Sequence, residues 1–131
     1  MDIHLQEAIT AFNRGSYIDA AERFEHATRS VPAELRELTG ALDRVAAGLH
    51  LRFERGGRQA AINLLSQALI VLEDFRPARA GIDVDRLYED INSFVGVVRS
   101  SPRDESAGLK HRARLMLERR RAPRINAIPE S

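Results

Sequence analysis

Phe12-Asn13-Arg14-Gly15, followed by Ala20, Phe24 and Ala27, returns forty-one residues later as Phe53-Glu54-Arg55-Gly56, followed by Ala61, Leu65 and Ala68. Each copy reads as a helix ending near an aromatic residue, a glycine stop, and a second helix with small and large apolar residues on one face. A unit of that kind cannot bury its apolar face alone, so two in tandem predict stacked helical hairpins around a shared core. The glycines are read as helix stops, because a left-handed residue ends a helix at least cost when it has no Cβ. Neither turn has the spacing of a P-loop or dinucleotide fingerprint, and neither follows a strand pattern.

Working outward, Asp2 is the predicted N-cap of a first helix whose Leu5, Ala8, Ile9 and Phe12 share a face up to Gly15. Ser16 opens the second helix, which Val31-Pro32 closes. A third and longest helix, at roughly residues 34–54, carries Leu35, Leu38, Leu42, Val45, Ala46, Leu49 and Phe53. The fourth follows Gly56-Gly57 and stops before Pro77, and Asp83 caps a fifth through Val98. Ser101-Pro102 reads as an N-cap with proline at the first helical position, opening a sixth segment to about Arg121 with a thin stripe of Leu109, Ala113, Met116 and Leu117. No run alternates with period two for long enough to argue for a strand. The fold class is therefore all-α: a compact bundle of about five helices, made of two tandem helical hairpins, a fifth helix and a basic C-terminal helical extension. Phe24, Leu42, Leu49, Leu65, Leu69 and Ile91 are the expected core.

The chain has 131 residues, enough for one domain burying about two-thirds of its unfolded surface. It has no cysteine, which excludes thiolate metal sites and cysteine nucleophiles. The first residues lack a basic and then apolar leader pattern, and no run approaches the ~18 apolar residues of a membrane span, so a cytoplasmic, non-membrane protein is expected. Charge is uneven: residues 1–109 carry 13 arginines against 17 carboxylates, a net −4, whereas residues 110–131 carry 7 basic and 2 acidic groups, a net +5. That asymmetry divides the chain into a bundle domain (1–100) and a basic extension (101–131), partly disordered after Pro123, whose removal is expected to leave stability little changed.

The spacing Ala20, Phe24, Ala27, Pro32 resembles the second helix of a tetratricopeptide repeat. Over a longer span, the order Phe12-Asn13, Gly15, Tyr17, Ala20, Glu22, Gly40, His50, then Ala61, Leu64-Leu65, Ala68-Leu69 and finally Gly81-Ile82-Asp83-Val84 with Leu87 is similar to the bacterial and archaeal domain-of-unknown-function family 309. The resemblance covers about two-thirds of the chain and implies a compact helical bundle with no established activity. This chain departs from the family pattern at Ala21, where relatives carry histidine, at Thr28, where they carry tryptophan, and at Gly40-Ala41-Leu42-Asp43. Of the polar set that relatives place inside the bundle, Glu22 and His50 are retained by type.

Glu22, Glu25, His26, Asp43, His50 and Glu54 are the residues that could carry chemistry, with Glu22, Asp43 and His50 the candidate polar cluster. His50 and Glu54 stand one turn apart, so both could reach one cation, but two ligands do not make a metal site and no zinc-protease or di-iron spacing is present. No metal, cofactor or catalytic residue is assigned. The feature that a helical core does not require is the basic segment Lys110, Arg112, Arg114, Arg119, Arg120 and Arg121, which suits phosphates or an acidic partner. It lacks the aromatic residues that single-stranded nucleic acid stacks on. The first expectation is thus a non-enzymatic domain for binding a protein partner or a second copy of itself. The alternatives are a nucleic-acid-associated protein using the arginines, and an enzyme or metal site around Glu22 and His50.

Overall fold

Six α-helices and one short hairpin make up the computed structural model, which describes residues 1–102 and 108–128. In chain order they are α1 (Ile3–Asn13), α2 (Tyr17–Ser30), α3 (Arg36–Arg55), α4 (Gln59–Leu72), β1 (Ala78–Arg79), β2 (Ile82–Asp83), α5 (Val84–Arg99) and α6 (Leu109–Arg119). The all-α bundle built on two helical hairpins is the architecture found. Asp2 caps α1 by accepting from the backbone N–H groups of His4 and Leu5 at 2.9 and 3.1 Å, and these bonds, Leu5's foremost, hold its carboxyl below the ordinary aspartate range.

Both glycine stops are helix terminators. Gly15 sits at φ +83°, with its N–H on the Phe12 carbonyl and the Ser16 N–H on the Ala11 carbonyl, a Schellman closure of α1. Gly56, at φ +67°, ends α3, and a Cβ there would stand 2.8 Å from His111 Nε2 of α6. The second helix of each pair packs back on the first, and α3 is flanked by α2 and α4. Phe24, Leu42, Leu49, Leu65 and Ile91 are fully buried, while Leu69 lies half-buried at the margin of the core. The two repeat aromatics, Phe12 and Phe53, join through Tyr17 with ring centroids 5.4 and 5.8 Å apart, and Phe53 meets Phe94 of α5 at 5.7 Å.

Four features differ from the sequence expectation, the last of them in the segment beyond α6. First, β1 and β2 form an antiparallel hairpin whose turn residues, Ala80 and Gly81, both have positive φ, as a two-residue type I′ turn requires. Strands two residues long leave no period to read. Second, Ser101 closes α5 instead of capping α6, since its hydroxyl donates to the Val98 carbonyl. The segment expected to start the sixth helix includes residues 103–107, which lie outside the described residues, and the described helix starts at Leu109 after Gly108.

Third, the thin apolar stripe of the sixth helix faces outward: Leu109, Met116 and Leu117 are 85, 69 and 62% exposed. The side turned to the bundle carries His111, Leu115 and Glu118. The cause is Arg52, which continues the buried Val45–Leu49 stripe of α3 and is only 2% exposed. A buried guanidinium needs a counter-charge. Glu118, 4% exposed, supplies it through two bonds, Nε to Oε1 at 2.7 Å and Nη2 to Oε2 at 2.8 Å. Ser101 Oγ at 3.2 Å and the Gly56 carbonyl at 3.4 Å take further guanidinium N–H groups.

Beyond α6 the chain, expected to be partly disordered after Pro123, is laid against the bundle as far as Ile128. Asn13 binds Ile125 in both directions, donating to its carbonyl at 2.8 Å and accepting from its N–H at 2.9 Å, and Ile125 is buried. Asp83 N–H donates to the Asn126 carbonyl, Ile128 N–H to the Gly81 carbonyl, and Ile82 bridges to Ala127, so this segment runs along the hairpin. Residues 129–131 lie outside the described residues.

Candidate functional site

An open groove of about 930 Å³ lies between α5 and α6. Its α5 wall is Ser93, Gly96, Val97 and Ser100, and its α6 wall includes Arg114, Leu117, Glu118 and Arg121. Each set follows the i, i+3, i+4, i+7 spacing of a single helix face. The α5 wall is low because its residues are small, and a Cβ on Gly96 would meet open space. The Arg52–Glu118 pair holds α6 in place at the floor. Above the groove, exposed Met116 and Leu117 continue to Leu109, with exposed Lys110, Arg112, Arg120 and Arg121 beside them. The result is an apolar ridge with a basic rim.

The structure does not make one patch of the six basic residues. Arg114 is half-buried in the groove wall, and Arg120 and Arg121 line the groove from above. Arg119 turns to the other side of α6, reaching Glu54 at 3.5 Å and lying over the ring of Phe53 at 5.2 Å. Lys110 and Arg112 remain exposed.

Nor are the three members of the polar cluster brought together. Glu22 is exposed on α2, in a shallow dip shared with His4, Asp19, Arg23 and His26. Asp43 is half-buried on α3, where burial first and the Glu25 carboxylate second push its pKa up against the pull of Arg44. His50 is half-buried two turns further along α3. No hydrogen bond among the described residues joins the three, and no group of three or more His, Asp or Glu among the described residues is arranged to hold a metal ion. Among the described residues no helix is long and apolar enough to cross a membrane.

Sequence reasoning missed Arg52, Glu118 and Asn13. A signal existed for Arg52, a charge in line with the apolar Val45–Leu49 face of α3, whereas Glu118 shares its side of α6 with His111 and Leu115 and interrupts no apolar stripe. Comparison with family models, with curated proteins and with solved structures finds no match for this chain.

Proposed function

We propose that this chain is a cytoplasmic, non-catalytic interaction domain whose α5–α6 groove receives an amphipathic helix of a protein partner, aliphatic on one side and acidic along its flanks. The observation that supports this reading is the exposed row Leu109, Met116 and Leu117 on a helix that a buried ion pair holds in place. A contiguous exposed apolar row rimmed by polar residues is the kind of surface that marks a protein interaction site. A ridge already rigid before binding loses little freedom on contact. The rim of Lys110, Arg112, Arg114, Arg120 and Arg121 sets the partner's charge. Self-association by pairing two α6 ridges would bring these cations against their own copies, which disfavours a homodimer through this face. The likeness to domain-of-unknown-function family 309 is proposed on the bundle residues alone and brings no activity with it.

Fluorescence anisotropy with two labelled model peptides tests the reading. Both have the same leucine face, one flanked by glutamates and the other by lysines. The acidic peptide is expected to bind and the basic one not, and Leu117→Asp should abolish binding while leaving the thermal midpoint near wild type. Equal binding of both peptides, or no effect of Leu117→Asp, refutes the groove as the docking surface. Tight binding of an RNA or DNA duplex, falling steeply with salt, would instead favour the nucleic-acid alternative.

A further inference from the structure

A second, smaller concavity of about 260 Å³ lies on the opposite side of α6, where the Gly15 turn meets the end of that helix. Four arginines from three separate segments line it: Arg14 at the end of α1, Arg119 and Arg120 at the end of α6, and Arg124 in the segment that follows. Two are held in place. Arg119 is fixed by Glu54 and by the rings of Phe53 and Tyr17, and Arg124 Nη1 donates to the Asn13 carbonyl at 3.1 Å. Arg14 lies 4.0 Å from Asp19. Among the described residues, Arg120 and Arg124 have no carboxylate partner, which leaves two positive charges uncompensated by those residues.

Tyr17 lines the same concavity. Its side chain is 6% exposed and packed between Phe12 and Phe53, and among the described residues its hydroxyl makes no hydrogen bond. Arg119 and Arg124 both act on the phenol, pulling against the effect of its burial. The hydroxyl donor is thus open, beside clustered guanidinium groups, to a ligand that accepts hydrogen bonds. The glycine turn is not itself the cradle, because the Gly15 and Ser16 N–H groups already bind the Phe12 and Ala11 carbonyls.

We infer that this concavity is an anion site for a phosphoryl group, bound by Arg120 and Arg124 with Arg14 and Arg119 beside them and the Tyr17 hydroxyl as a further donor. A phosphomonoester carries about −1.5 to −2 charge near neutrality, matching the two uncompensated guanidinium groups, whereas a carboxylate brings a single charge and two oxygens. The volume falls below the ~300–1,000 Å³ of sites that enclose drug-sized ligands, which suits one phosphoryl group and not a whole nucleotide. The concavity shares Arg120 with the rim of the α5–α6 groove and no other lining residue.

Isothermal titration of the full chain with inorganic phosphate, O-phosphoserine and acetate at equal ionic strength tests it. Phosphate and phosphoserine should bind at one site at pH 7.5 and acetate should not. Phosphate should weaken toward pH 5.5, because its second ionisation lies near pH 6. Phosphoserine tighter than phosphate would indicate a phosphorylated side chain or small ester as the source, and the reverse would indicate the free ion. Arg120→Gln should lose binding at least roughly tenfold, as expected for a lost charge-assisted bond. Tyr17→Phe, which keeps the ring packing, should lose roughly fivefold. Leu117→Asp should bind phosphate as wild type does, which separates this site from the groove. Acetate binding as tightly as phosphate, or unchanged affinity in Arg120→Gln, overturns the assignment. Arg120 makes no intramolecular ion pair among the described residues, so its variant decides the matter even if Tyr17→Phe or an Arg124 variant folds poorly.

Discussion

Glu118 is a single carboxylate on an exposed-looking arginine-rich segment, yet it neutralises a guanidinium in the interior. Removing one partner of a buried pair costs about 3–5 kcal/mol, because the other charge is left without water or counter-ion. Glu118→Ala is therefore expected to lower stability by that amount in urea denaturation. Arg52→Met combined with Glu118→Leu should lose much less than Glu118→Ala alone, since neither charge is then stranded. Additive losses would show that the pair is not coupled. Asp43 makes the opposite case. Its pKa is raised in the folded chain, so as pH rises above 3.8 the unfolded state ionises first and stability falls until the folded group ionises too. Above that window the penalty persists, so Asp43→Asn should be more stable than wild type at pH 7 and indistinguishable from it near pH 3. Thermal melts at the two pH values check the sign.

The element most changed by its surroundings is α6. Its own pattern argues for burying Leu109, Ala113 and Met116, but the helix rotates to place Glu118 on Arg52, and the apolar stripe is left outside. The segment after it follows from Asn13, whose side chain completes the backbone bonds of Ile125. Asn13→Ala leaves that N–H and carbonyl without partners and should cost about 1–3 kcal/mol. Hydrogen exchange should show loss of protection at Ile125 and Ile128 with the helices unchanged. If exchange there is already unprotected in the wild type, the segment is not held. Gly56→Ala should destabilise by about 1 kcal/mol or more, since alanine strains the left-handed turn and its Cβ meets His111. An unchanged denaturation midpoint would count against that packing.

At the scale of the whole molecule, the charge asymmetry that divides the chain at about residue 100 does not divide the structure. Ending the chain at Ser101 strands Arg52 inside and uncovers the site of Ile125. The truncated protein is expected to lose at least the roughly 3–5 kcal/mol of the ion pair, and circular dichroism with thermal melting would reveal it. A truncated chain melting like the full one would restore the appendage view. What the sequence by itself determined is the set of helices and their stops: Gly15 and Gly56 act within one turn, Asp2 and Asp83 cap the residues next to them, and the stripes of Phe24, Leu42 and Leu65 repeat at helical period. Those signals are local, so they are written in neighbouring residues. Which face α6 presents, whether the last segment is held, and which arginines share a concavity were decided only by the tertiary structure. Their determinants, Arg52 with Glu118 and Asn13 with Ile125, stand 66 and 112 residues apart. No period or spacing along the chain records a contact of that kind, and only the packed bundle brings its two halves together.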